Sequence, residues 1–228
     1  MGTPPLTRPA FYALESGGWR DYVTLLHLPY TTWHLSYVAI GAFLAPEFAG
    51  RRLLAALAAF FLALGIGAHA LDELNGRPLQ TRIPSGILIA LAAVSIAAAT
   101  AIGVAAALAW TPWLLVFVVA GAFLVVAYNL ELFGGAFHGD LWFGLAWGAF
   151  PLLTTYFVVA ERLTDVAMLG ALFAFVTSLA QRMLSTHVRD IRRRGVGDVG
   201  MLTAPEAALR LLTVAMLVLA ATLLAVRL

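Results

Sequence analysis

The sequence predicts an all-α fold, a polytopic membrane bundle of about seven transmembrane helices, and three observations predict it. Of 228 residues, 62% are hydrophobic and 11% are charged, where soluble domains run near 45–50% apolar and about 25% charged. Mean hydropathy is +0.91. Apolar runs of about 20 residues, the length that crosses a bilayer as a helix, recur along most of the chain. The formal net charge is only +2, every basic residue is arginine, and there is no cysteine. This excludes a disulfide framework and thiolate metal ligation and gives no nucleic-acid signal. The basic balance reads as positive loops.

Residues 1–28 read as an N-terminal cytoplasmic or interfacial segment, and 29–228 as the bundle. No compact apolar core with a cleavage site precedes Arg20, so no cleavable signal is expected. Residues from Pro9 to Leu28 mix aromatics with charges, as an interfacial amphipathic helix does; a disordered tail as far as Trp19 is the alternative. The spans are expected at Pro29–Pro46, Leu53–Leu71, Ser85–Trp110, Pro112–Leu132, Leu141–Ala160, Val166–Thr186 and Pro205–Leu228. Between Arg82 and Glu131 there is no charge, and that stretch is too long for one crossing. Trp110-Thr111-Pro112-Trp113 divides it, because proline stops a helix and tryptophan favours the membrane boundary. Thr203-Ala204-Pro205-Glu206 has the form of a capping box and is expected to start the last helix.

Arginine placement orients the bundle. With the N-terminus inside, Arg77, Arg82, Arg189, Arg192, Arg193 and Arg194 fall in cytoplasmic connections, and Arg51, Arg52 and Arg162 fall outside. The positive-inside rule favours that arrangement, which implies an inner or plasma membrane protein. His27, His34, His69, His138 and His187 then lie at or near the cytoplasmic edge, with Asp72, Glu73, Glu131, Asp140 and Asp190 at the same level.

Two His-x-x-Asp steps, His69…Asp72 and His187…Asp190, end long apolar runs. Residues three apart share a helix face, and ionisable groups at membrane depth cost about 2.5–3.5 kcal/mol on insertion scales. Glu73 extends the first step, and Arg77 and Arg82 come next in a loop punctuated by glycine and proline. Arg189 and Arg193 flank the second. Carboxylates hold divalent metal, metal bridges phosphate oxygens, and arginine takes the remaining charge. His69, Asp72, His187 and Asp190 are therefore the catalytic candidates, and with Glu73 the metal ligands. Arg77, Arg82, Tyr128, Arg189 and Arg193 are the substrate-binding candidates. The bland alternative is a pair of interhelical hydrogen bonds tying the second span to the sixth. His34 reads as a core histidine, His27 as interfacial, and His138 with Asp140 as a helix cap.

Taken in order, these segments resemble the UbiA-type intramembrane prenyltransferase family. Thr81-Arg82-Ile83-Pro84-Ser85-Gly86 is similar to the segment after the family's first Asp-rich motif. Tyr128-Asn129-Leu130-Glu131-Leu132 and the run Leu145 to Leu153 resemble later segments of the family, and Arg189-Asp190-Ile191 falls where the second Asp-rich motif belongs. His69 and His187 replace the first aspartates of the motifs, Gly76 and Arg194 the later ones, and Phe133 a lysine. Seven spans stand where the family has nine, so an oligomer or a partner subunit is a further expectation. The resemblance implies metal-assisted transfer of an isoprenoid group from a prenyl diphosphate to an acceptor in the bilayer. Asp72 and Asp190 would hold metal, and Tyr128 would line the cavity. Magnesium fits the family pattern, whereas imidazole ligands suit Fe or Zn, with Mn a further option. Two other readings stay open: a His/carboxylate transition-metal enzyme of lipid oxidation or desaturation, and a non-catalytic isoprenoid-lipid-binding protein.

Overall fold

The computed structural model describes residues 8–194 and 200–227. The described residues form helices and no strand. A short helix α1, Trp19–Leu25, leads into α2, Leu28–Leu44. The longer ones that follow are α3 (Gly50–Leu74), α4 (Ser85–Ala109), α5 (Leu114–Asn129), α6 (Asp140–Ala160), α7 (Asp165–Arg194) and α8 (Gly200–Arg227), with a single helical turn at Leu132–Gly135 between α5 and α6. By length and composition α3, α4, α6, α7 and α8 are long and apolar enough to cross a membrane. Helix α2 has 17 residues and α5 has 16. At 1.5 Å per residue they reach roughly 25 Å, short of a hydrocarbon core of about 30 Å.

The break at Trp110–Trp113 falls where proline and tryptophan place it, with α4 ending at Ala109 and α5 starting at Leu114. Two boundaries differ from expectation. Helix α7 does not stop at Thr186 but runs through the arginines to Arg194. Helix α8 starts at Gly200 and carries Pro205 inside. The Thr203…Glu206 pattern is therefore not the helix start. The Glu206 carboxylate instead takes Arg192 at 2.9 and 2.5 Å, a buried ion pair between α7 and α8. Residues 1–7, 195–199 and 228, which belong to the expected N-terminal segment, the α7–α8 connection and the last span, lie outside the described residues.

Helix α2 is the centre of the bundle. Trp33, Tyr37 and Val38 are fully buried on it, packed among α3, α6, α7 and α8. Close approach depends on missing side chains: a Cβ at Gly41 would overlap the backbone carbonyl of Leu152, and one at Gly148 that of Ala174. At the end where α6 finishes, arginines satisfy helix C-terminal carbonyls that lack an intrahelical donor. Arg52 donates to Val158 and Val159 and pairs with Glu161 at 2.8 Å. Arg227 donates to Phe43, Ala45 and Pro46.

Helices α3 and α6 each widen into a π-helical stretch, Phe61–Ala68 and Gly144–Ala149. In α6 a proline accounts for it. Pro151 has no N–H, so the carbonyl of Trp147, four residues earlier, loses its ordinary donor. That carbonyl accepts a hydrogen bond from His34 Nδ1 at 2.8 Å instead, which fixes the proton on Nδ1.

Candidate functional site

The polar groups gather at the end of the bundle where α3 and α5 finish and α2 and α6 begin. His27 sits at the joint between α1 and α2 in the left-handed region, with φ 45 and ψ 46. Strain of this kind in a non-glycine residue persists only where its surroundings enforce it. The His27 ring stacks on that of His69, with centroids 4.0 Å apart and planes 16° from parallel. The Tyr12 hydroxyl bonds His27 Nδ1 at 3.0 Å, while Nε2 is buried without a partner. Burial, reinforced by the Arg189 charge, lowers the His27 pKa from 6.5 to about 3. Burial also raises Tyr12 well above its usual range, so both groups are uncharged at neutral pH. The Thr31 hydroxyl donates to Leu26 at 2.6 Å. With its one hydrogen used, it accepts from His69 Nε2 at 3.2 Å.

The expected acids and arginines divide into different roles. Glu73 is buried, and its carboxylate accepts from Leu79 N at 2.9 Å, Thr81 N at 2.8 Å and the Thr81 hydroxyl at 2.9 Å. It holds the loop after α3 and has little left to offer a metal. Arg77 holds the same loop, donating to Thr81 and Ile83 carbonyls and to Ser85 Oγ. Arg82 is exposed, and only its backbone N–H is engaged, by Asp21 at 2.8 Å. Asp72 is half-buried, and among the described residues its carboxylate forms no ion pair within 4 Å and accepts no hydrogen bond.

Opposite Asp72 stands one face of α7. Arg182, Thr186, Arg189 and Arg193 are spaced i, i+4, i+7 and i+11, a single helical stripe. The Arg182 guanidinium bonds the Tyr128 hydroxyl and pairs with Asp140 at 2.5 Å. It also lies over the Phe143 ring at 5.1 Å. Tyr128 packs on His138 and Trp147, with centroids at 4.6 and 4.5 Å. The His138 ring bonds the Tyr128 carbonyl at 3.0 Å. Arg189 is half-buried, and its one side-chain bond goes to Thr186 at 3.2 Å. Its charge reaches Tyr12, His27, Tyr30, Asp72 and Tyr128, and the Arg193 charge reaches Asp72 as well.

His187 and Asp190 are exposed, while Ser185, Val188 and Arg192 of the same turns are buried. The structure thus brings Tyr128, Arg189 and Arg193 toward the side of Asp72 and His69, and leaves His187 and Asp190 on the outer surface of α7. Among the described residues no group of three or more His, Asp or Glu side chains is placed to hold a metal ion. One ring nitrogen of each of three histidines is already committed: His34 Nδ1 to Trp147, His69 Nε2 to Thr31 and His27 Nδ1 to Tyr12. Among the described residues these rings do not join acids in a group of three, as an imidazole cage for Fe, Mn or Zn would need. A single unpartnered carboxylate fits magnesium better, because that ion is held by one or two carboxylates together with substrate phosphates.

Hydropathy and motif spacing do not single out Arg182, Tyr12 or the His27–His69 stack. Arg182 is visible in the sequence only as an arginine inside an apolar run at helical spacing from Arg189. Nothing in the sequence joins Tyr12 to His27. Between the middle of the bundle and the end opposite these polar groups, α3, α4, α5 and α6 border an apolar cavity of about 100 Å3. Phe60, Ala63, Phe117, Val125 and Phe150 line it, and Val125 is one turn before Tyr128. In comparison with known proteins the chain matches no family model, no curated protein and no solved structure.

Proposed function

We propose that the chain is a divergent UbiA-like intramembrane prenyltransferase. Its seven helices α2–α8 would cross the membrane with the N-terminus cytoplasmic, and the polar end would lie near the cytoplasmic face. The observation that carries the reading is the pairing of Asp72, which has no bonding partner, with Arg189, which has no acid partner, across the mouth of an apolar bundle. A partly buried guanidinium without a carboxylate is a ready site for phosphate oxygens, which it takes bidentately. The cavity beside Val125 supplies an apolar wall for an isoprenoid tail.

In this reading Arg189 and Arg193 bind the diphosphate and stabilise the charge that grows on it as the carbon–oxygen bond breaks. The allylic carbon becomes electron-poor among apolar walls that exclude water. The acceptor's nucleophile then bonds that carbon and gives up its proton, and diphosphate leaves. Asp72 would hold magnesium together with the phosphate oxygens, and the ion would supply neutralisation of the leaving group. Arg182 holds the Tyr128 hydroxyl at the polar end. The stacked His27 and His69 rings form part of the polar end.

A second reading, a non-catalytic isoprenoid-lipid-binding protein, is favoured by the outward placement of His187 and Asp190. It leaves Asp72 as the acid of the site where the resemblance implies two acidic clusters. The readings separate on incubation of detergent-purified protein with farnesyl diphosphate, magnesium and a membrane lipid extract. Release of diphosphate, lost in Asp72→Asn, supports the transferase. Saturable binding without release supports the second reading. Absence of both removes the proposed site.

A further inference from the structure

Residues 8–17 have no regular secondary structure, yet they are packed. Ala10 and Ala13 are buried against Leu79, and Phe11 meets the rings of Tyr12 and Tyr30 edge-on at 5.2 and 6.4 Å. Side chains of the bundle fasten the segment at points along its length. Arg192 donates to the Arg8 carbonyl at 3.1 Å, Arg210 lies over the Phe11 ring at 5.0 Å, and Thr24 accepts from Leu14 N at 3.0 Å. Ser16 donates to the Gln80 carbonyl at 3.3 Å. The deepest fastening is the Tyr12 hydroxyl on His27 Nδ1. The segment therefore lies across the polar end, above His27, Tyr30 and the loop after α3. It ends at Gly17 and Gly18, whose φ values are +129 and +62 and where a Cβ would meet nothing. Two consecutive glycines at positive φ allow the chain to swing at that point without steric cost.

We infer that residues 8–17 are a strap that covers the polar end over His27 and Tyr30, turning at Gly17–Gly18 and latched by the Tyr12–His27 hydrogen bond. The structure is the latched state. A segment without regular secondary structure, held by separate side-chain contacts, opens at lower free energy than the helices beneath it. The buried Nε2 of His27, without a partner under the closed strap, becomes available when the strap lifts. Water-soluble molecules then reach His27 while the helices beneath stay packed. The inference stands on the contacts of the strap, and it rests on the proposed transferase reading only for what reacts beneath.

The chain has no cysteine, so a single engineered thiol reports opening without background. Leu79→Cys puts that thiol beneath Ala10 and Ala13, and Ser178→Cys puts a control thiol in the fully buried interior. Labelling by N-ethylmaleimide is timed in detergent with and without Tyr12→Phe, which removes the latch and keeps the ring. The expected result is labelling of the Leu79→Cys thiol about three- to tenfold faster with Tyr12→Phe, the worth of one hydrogen bond, with the Ser178→Cys thiol unchanged. Equal rates at position 79 would overturn the latch. Parallel acceleration at both positions would overturn it too, because the whole bundle would then be loosening. The readout needs no ligand, so failure of the transferase assay leaves it standing, and its own failure leaves that assay untouched.

Discussion

His27 and His69 lie ring on ring, 4.0 Å between centroids, although they stand far apart in the sequence with no pattern linking them. The stack places one imidazole from the α1–α2 joint against one from the last turns of α3. It makes the polar end a built structure, in which the burial of each ring depends on the other.

A pH dependence arises from His27. Its pKa is about 3 in the folded chain, against 6.5 for the ordinary group. In the unfolded chain it protonates as pH falls through 6.5, and in the folded chain it stays neutral. Its stabilising contribution is therefore complete above about pH 6.5 and is lost as pH falls toward 3. Between about pH 7 and pH 5 the loss is about 2 kcal/mol. We expect the thermal midpoint in detergent to drop over that interval. His27→Asn, which tolerates the left-handed backbone, should flatten the drop. An equally steep drop in the variant would contradict the assignment.

The inward and outward faces of α7's polar sequence should respond differently to mutation. Arg182→Leu removes the bond to Tyr128 and the pair with Asp140, and a cost of about 1–3 kcal/mol is expected. His187→Ala and Asp190→Ala change exposed side chains and should stay within about 0.5 kcal/mol. Denaturation midpoints of the three variants check this. A large loss in either of the last two would mean that they pack inward.

Glu73→Ala should free the loop after α3. It leaves the N–H groups of Leu79 and Thr81 without acceptors, and each buried orphan costs about 1–3 kcal/mol. Hydrogen exchange at those two amides should accelerate far more than exchange within α8. Unchanged protection would show that the carboxylate is not what holds them.

Much of the fold is legible in the sequence because membrane helices announce themselves by length and apolarity. The break at Trp110–Trp113 is an example, since proline chemistry fixes it locally. The end of α7 is not legible. Arg192 carries the helix past its apolar run by pairing with Glu206, a partner 14 residues on, and no hydropathy pattern records a pairing. The candidate site is half legible. The His-x-x-Asp spacing puts His69 and Asp72 on one helix end, but the same spacing in α7 says nothing of which way that face turns. Val188 and Arg192 are buried, Arg182 and Arg189 are half-buried beside them, and His187 and Asp190 are exposed, as is Arg193. Glu73 and Arg77 look like ligands in the sequence because charge near a site resembles charge in a site. Their hydrogen bonds to the loop backbone decide otherwise.

Gly41 and Gly148 should resist enlargement. Alanine at either would press on a neighbouring backbone carbonyl, Leu152 or Ala174, and backbone moves less easily than a side-chain tip. We expect a loss of about 1–3 kcal/mol from overpacking in each variant, seen as a lowered midpoint. Gly86→Ala, where a Cβ meets nothing, is the comparison and should be nearly neutral.

The central claim is that Arg189, facing an unpartnered Asp72, receives the phosphate oxygens of an isoprenoid substrate. Calorimetric titration of the detergent-purified chain with farnesyl diphosphate tests it most directly, with Arg189→Gln beside Arg194→Gln, an exposed arginine of the same helix. The account expects Arg189→Gln to weaken binding about tenfold or more, the worth of a charged hydrogen bond, and Arg194→Gln to leave it nearly unchanged. Equal affinity in all three proteins would contradict it.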